Sequence, residues 1–375
     1  MSTVQTLSRA IGVIAACLIA AATLASEETL AWAKCAGGSF PDDCRGMAVL
    51  SDGSIVIVGS FEGGATFGSG EPNQTYLSAV SGTDAFVAVY APDGMLRWAK
   101  RVGGSGMSIF HAVAALPDGS FVVVGEYTYT ITLGVGEPNE TWLWAQSDIQ
   151  SDICVAKYQA NGVLDWAKRA GGESADYPAG VAVLSNGAIA VVGSFLSEWA
   201  TFGQGEMNET TLWKPTSFSD AFVALYNDGG FLLWAQRAGG SGNDYGKVVA
   251  PLSDGGFIVA GQFTGTATFA PGTAYELTLT TSASAGLFFA RYTPDGVAHW
   301  AKACGSPDYC NTMNGATPMP DGGFALAGSF FDAAVFGEGE PNQTVLFSLG
   351  NYDAFVARFD SEGKTIWAKR IGASE

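Results

Sequence analysis

"DAFVAVYAPDGMLRWAKRVGGSG" at 84–106 leads into "HAVAALPDGSFVVVGEY" at 111–127, and these two stretches decide the fold. In the first, two apolar runs meet at a Gly-containing turn, and the second run is centred on Trp98. In the other, two apolar runs meet at Asp118-Gly119, a dipeptide typical of tight hairpins. The arrangement then recurs along the chain. Tryptophan followed by Ala-Lys or Ala-Gln stands at Trp32, Trp98, Trp166, Trp234, Trp300 and Trp367, with successive spacings of 66, 68, 68, 66 and 67 residues. So regular a period means tandem copies of one supersecondary unit.

Each period carries the same signals in the same order. The tight hairpin returns at Asp52-Gly53, Asn186-Gly187, Asp254-Gly255 and Asp321-Gly322, and a third run returns as "DICVAKY" (152–158), "DAFVALY" (220–226), "GLFFARY" (286–292) and "DAFVARF" (353–359). Four principal strands per period follow. The second and third runs are apolar on both faces, as expected of strands sandwiched between neighbours. Units that cannot hide both faces alone must stack on copies of themselves. Solenoid repeats are shorter and carry fewer strands, so the expectation is all-β: a β-propeller of five blades, each with four main strands and an extra inserted hairpin.

The extra hairpin is read from "TFGSGEPNQTYL" (66–77), "TLGVGEPNETWL" (132–143), "TFGQGEMNETTL" (201–212), "TFAPGTAYELTL" (268–279) and "VFGEGEPNQTVL" (335–346). These copies share length and apolar ends, and Glu71-Pro72-Asn73-Gln74 suits a turn with Pro second and Asn third. Counting leaves a remainder, because the tight hairpins number five and the tryptophan runs six. The Trp32 run is therefore expected to join the last blade and help close the ring. A fragment of a larger ring, or a ring closed by another chain, is the competing reading.

Together the opening stretches resemble the bacterial beta-propeller repeat family of exported and surface proteins, over nearly the whole chain after its N-terminal segment. The family has no single activity, so the resemblance implies a fold and an address rather than a reaction.

Export is also read directly from the N-terminus. Arg9, the apolar stretch 10–25 and Thr23-Leu24-Ala25 form a signal peptide over residues 1–25, leaving 26–375 as one propeller domain; a lipoprotein signal ending at Cys17 is the rival. No other stretch is a candidate membrane span. Oxidising conditions then make Cys35–Cys44 and Cys304–Cys310 the simplest disulfides, with Cys35–Cys304 and Cys44–Cys310 or a zinc site as alternatives. Cys154 reads as a buried apolar side chain. A formal net charge of −18 argues against nucleic acid and anionic membrane surfaces as partners.

Candidate sites follow from what repeats and what does not. Six evenly spaced tryptophans read as packing residues between blades, whereas Trp142, Trp144, Trp199 and Trp213 interrupt the pattern and are the better candidates for a surface binding carbohydrate or protein. Asp42, Asp176, Asp244 and, with an offset, Asp308 recur in the links entering the inner strands. Around a channel mouth they would hold Ca²⁺; the plainer role is to accept backbone amides of their own loops. Glu71, Glu137, Glu206 and Glu340 are expected at exposed hairpin tips, also open to ligands. His111 and His299 lack a motif-level partner, and the inner runs hold no carboxylate. A non-catalytic binding, adhesion or scaffold module at the cell surface or outside the cell is the expected function. An exported hydrolase or lyase acting on glycans with channel-mouth carboxylates is the alternative.

Overall fold

A computed structural model of the chain describes residues 31–281, 285–305 and 312–373. Among them every regular element is a β-strand. The first unit holds β1 (Asp42–Val49), β2 (Ile55–Phe67), β3 (Thr75–Tyr90) and β4 (Leu96–Val102). The second holds β5 (Ser108–Ala115), β6 (Phe121–Thr128), β7 (Thr130–Leu133), β8 (Thr141–Trp144), β9 (Ser151–Tyr158) and β10 (Leu164–Ala170). In the third are β11 (Asp176–Val183), β12 (Ile189–Phe195), β13 (Trp199–Phe202), β14 (Thr210–Trp213), β15 (Asp220–Tyr226) and β16 (Leu232–Gly240). The fourth comprises β17 (Tyr245–Pro251), β18 (Phe257–Phe263), β19 (Thr266–Phe269), β20 (Leu277–Thr280), β21 (Gly286–Tyr292) and β22 (Ala298–Cys304). The last comprises β23 (Thr312–Pro318), β24 (Phe324–Phe336), β25 (Thr344–Phe359) and β26 (Thr365–Ile371).

Each unit forms a four-stranded antiparallel meander of the order β1-β2-β3-β4, and the inserted hairpin extends its second and third strands. In the middle units the hairpin is a separate ladder, such as β7–β8. The inner strand carries a bulge at the same place in every unit, for example between Pro178 and Gly180. There the second strand needs glycine, because a Cβ on Gly193 would sit 2.1 Å from the Tyr177 carbonyl oxygen.

The cores lie between sheets rather than within them. Val56, Val58 and Val87 of the first unit pack with Phe121 and Tyr158 of the second. Val122 and Val155 pack with Ile189 and Phe222 of the third. Equivalent clusters join the third unit to the fourth and the fourth to the last. Stacking therefore explains the two-sided apolar strands, since each face of a middle sheet is another sheet's core. The result is a propeller-like succession of sheets with β1, β5, β11, β17 and β23 as neighbouring inner strands.

The ends of the succession differ from the sequence expectation. The Trp32 run does not complete the last sheet, whose fourth position is already filled by β26. Residues 31–37 lie instead on the first sheet, where Gly37 bridges Thr66 just as Gly103 bridges Thr132 and Gly171 bridges Thr201. They occupy the place that a fourth strand from a preceding unit would take. Among the described residues, β23 and β1 do not pack on one another as the other inner neighbours do.

Candidate functional site

The repeated tryptophans and acids meet at the sheet junctions. Indole N–H groups of Trp32, Trp98, Trp166 and Trp234 donate to the carbonyls of Pro92, Ala160, Asp228 and Pro294, at 3.0, 3.3, 2.9 and 2.8 Å. Each acceptor lies in the turn between third and fourth strands of the following unit. Beneath the indoles lie turn glycines with positive φ: a Cβ on Gly230 would come within 2.5 Å of the Trp166 ring, and Gly94 and Gly363 are similarly covered by Trp32 and Trp300. Only glycine offers both that φ and that clearance.

Two residues beyond Trp32, Trp98, Trp166 and Trp300, a lysine reaches the inserted hairpin of the next unit. Lys34 meets Glu71 at 2.6 Å, Lys168 meets Glu206 at 2.5 Å, Lys302 meets Glu340 at 2.8 Å, and Lys100 meets Glu137. The other carboxylate oxygen accepts a backbone N–H at the start of the fourth strand in its own unit. Those donors are Leu96, Leu164, Leu232 and Thr365, at 2.6 to 2.7 Å. Glu71, Glu137, Glu206 and Glu340 were expected at exposed tips; their side chains are instead mostly covered, with 7, 13, 9 and 19% of their surface exposed. The physical reason is that one carboxylate satisfies an ammonium and an otherwise unpaired amide at once. Asn73, Asn139 and Asn208 donate their side-chain amides to Leu96, Leu164 and Leu232 carbonyls, so this turn is tied to the fourth strand twice.

The link aspartates are also held by backbone. Asp42, Asp176 and Asp244 accept the N–H of Gly38, Gly172 and Gly240 at 2.7, 2.7 and 2.8 Å. Asp176 further accepts from Leu196 N, Ser197 N and the Ser197 hydroxyl. Burial raises the Asp176 carboxyl to about 7 and the Asp244 carboxyl to about 8, against the opposing pull of these hydrogen bonds. Asp308 lies outside the described residues. These acids start the inner strands, whereas a depression of about 710 Å³ opens at the opposite strand ends, where Leu50, Leu116, Leu184, Leu252 and Met319 converge. That depression is apolar and receives none of them. Among the described residues no three His, Cys, Asp or Glu side chains gather closely enough to hold a metal ion.

A further buried acid recurs without having been singled out in the sequence. Asp84, Asp152, Asp220 and Asp353 open the third strand's apolar run and pair with Arg101, Arg169, Arg237 and Arg370 of the fourth strand. Its signal was visible, as Asp of "DAF" with Arg of "WAKR", but masked by the apolar run it opens. Cysteine pairing fares differently. Cys35 and Cys44 were expected to bridge and are free thiols here; Cys44 lies in β1, where its Sγ donates to the Gly46 carbonyl at 3.9 Å. Cys304 is buried and free, Cys154 is buried, and Cys310 lies outside the described residues.

The non-repeated aromatics form the outward-facing feature. Trp142 and Trp144, two residues apart on β8, stack with centroids 6.3 Å apart. Trp199 and Trp213 face each other across the β13–β14 ladder at 6.5 Å. Trp142, Trp144 and Trp213 are 54, 62 and 60% exposed, and β10 touches both hairpins. A separate, non-repeated pair links the inner strand β5 to the second strand β6: His111 Nε2 lies 3.1 Å from Glu126, and Arg45 of β1 lies 3.5 Å from His111 Nδ1. With Arg45 donating to Nδ1, the Nε2–H points to Glu126.

No protein-family model matches the chain. Over 187 residues, 48% of its length, it is 24% identical to an uncharacterized WD repeat-containing protein of Acanthamoeba polyphaga mimivirus, a resemblance in keeping with a repeat, propeller-like family. The match spans 14% of that relative's length. A crystal structure of a protein of unknown function from Bacteroides caccae is similar over 76% of this chain and 90% of that one, with 11% identity and a TM-score of 0.36. No helix among the described residues is long and apolar enough to cross a membrane.

Proposed function

We propose that the chain is an exported binding or scaffold module of the cell surface or extracellular space, contributing five blades to a propeller of the bacterial repeat type its sequence resembles. It meets a carbohydrate or protein partner through Trp142, Trp144, Trp199 and Trp213. The observation that carries this reading is the exposure of three of these indoles on two hairpins that share β10 as a neighbour. Exposed tryptophan costs solubility and returns no packing energy, while paired rings offer flat apolar faces with N–H groups at their rims, suited to sugar rings or partner side chains. Trp367 apart, the repeated tryptophans and the hairpin acids are engaged at the junctions, which leaves this surface as the chemistry not used for structure.

The test is titration with oligosaccharide and protein panels, followed by intrinsic tryptophan fluorescence and by melting temperature. Any ligand that binds the wild type should lose about tenfold or more in affinity on Trp142→Ala or Trp213→Ala. Binding untouched by both substitutions sinks the proposal. A hydrolase or lyase is the second reading, favoured by the His111–Glu126 pair rather than by the link aspartates. Turnover of a glycan panel that His111→Ala abolishes would establish it.

A further inference from the structure

The junctions are regular enough to show what is missing beyond the last one. In all five junctions between described segments the indole lies over a turn glycine; at four of them it donates to a turn carbonyl, at four a lysine meets a hairpin acid, and the fourth strand's final apolar residue is covered. Val102, Ala170 and Ala238 are accordingly 1–2% exposed. The equivalent Ile371 is 60% exposed, and among the described residues no acceptor meets the Trp367 indole and no carboxylate meets Lys369. Ala354 on β25 is exposed, whereas Ala85 and Ala221 in the same place are buried. A Cβ on Gly315 would meet open space, whereas one on Gly46 or Gly180 would press on the next inner strand. The last sheet therefore presents one half of an established interface.

At the other end the chain presents a complementary lack. Residues 31–37 take the fourth-strand place before the first unit, with Trp32, Lys34 and Ala36 making the usual contacts. Residues 31–36 join no ladder, however, and Met47 and Val49 of β1 are each 62% exposed where the inner strands of a preceding unit would lie. A fourth-strand segment is present there, and among the described residues its first three partners are not.

We propose that the open face of the β23–β26 sheet and the free edge of residues 31–36 form a docking site for a three-stranded sheet of this same repeat type. Charge and shape specify the donor. It brings an acid in its inserted hairpin for Lys369, a turn carbonyl over glycine for Trp367, and an apolar face for Ile371 and Ala354. Its own missing fourth strand is residues 31–37, which is why three strands complete it and four would clash. A second copy of this chain is the wrong donor, because its corresponding face is already covered by its own Trp32 and Lys34. The inference rests on the described junctions alone and stands apart from the ligand-binding reading.

The test continues the full chain after Gly372 with a second copy of residues 172–230, which supplies three strands, the inserted hairpin and the turn glycine. The extended chain should be monomeric, melt several degrees above the parent, and slow amide exchange over residues 33–36 and β26. Lys369→Gln should remove part of that gain while leaving the parent's melting temperature unchanged. An extension that remains unprotected while the parent portion melts at its former temperature overturns the proposal. Head-to-tail self-association of the parent in sedimentation, with Trp367 shielded from quenchers, also overturns it.

Discussion

The junction entering the fourth unit differs from the junctions entering the third and the last, although all three bury the same kind of core. At the third, Lys168 meets Glu206, and within the third sheet Asp220 meets Arg237. At the fourth, Lys has become Gln236 and Glu has become Thr273, and within the fourth sheet Gly286 and Ala303 replace the Asp–Arg pair. Both halves of each ion pair are lost together. Trp234 still donates to Pro294, and Gln236 still reaches the Gly296 carbonyl, as Lys302 reaches Gly363. The difference teaches that apolar contact and the indole are what a junction requires, and that the ion pairs are kept or discarded as units. A carboxylate this covered is costly once its partner has gone.

The largest effect is expected from the element the two junctions share. Trp166→Ala should destabilise by about 3 kcal/mol, the usual range for removing a packed aromatic side chain, whereas Trp367→Ala at the open face should cost under about 1 kcal/mol. Chemical denaturation of both variants checks this, and equal losses would erase the distinction between closed and open junctions. Next come the pairs. Asp220→Asn strands Arg237 and should cost about 2 kcal/mol, while the double change Asp220→Gly with Arg237→Ala, the fourth unit's own solution, should cost less than the sum of its single changes. Additive losses would break the claim that the pair acts as a unit.

A smaller effect appears as pH dependence. The Asp176 carboxyl is raised from 3.8 in the unfolded chain to about 7 in the fold, so the folded state holds the proton more tightly. Its stabilising contribution is full below about pH 4 and is lost progressively as pH rises towards 7. Asp176→Asn should therefore flatten the decline in melting temperature across that window. An unchanged slope would mean that the carboxyl is ionised throughout. The smallest effect belongs to Ala270, which holds φ +50° where Gly68, Gly134 and Gly203 stand in other units. Ala270→Gly should stabilise by about 0.5–1 kcal/mol, measured in the same denaturation experiment.

Much of this architecture was legible in the letters because period, turn dipeptides and two-sided apolar runs all report backbone pairing. The four-strand unit and its inserted hairpin followed from them. The roles of Glu71, Glu137, Glu206 and Glu340 did not, since a polar residue in a Gly-Pro-Asn turn reads as exposed unless its lysine partner, about 37 residues earlier, is known to face it. One clue was present: the copy that drops Glu is the copy preceded by Trp-Ala-Gln. The Trp32 run was misplaced because counting runs gives their number and not their neighbours. His111 looked isolated for the same reason, as Glu126 lies across a strand pair rather than in a motif.

Residues repeated at the junctions hold the sheets together, while Trp142, Trp144 and Trp213 form the surface proposed for binding. Melting and ligand titration of Trp142→Ala/Trp144→Ala/Trp213→Ala beside Glu206→Gln test this division most directly. The triple variant should melt within about 2 °C of wild type and lose ligand, and Glu206→Gln, lacking a junction ion pair worth about 1 kcal/mol, should melt lower and keep ligand. A triple variant that unfolds early with its ligand affinity intact would contradict it.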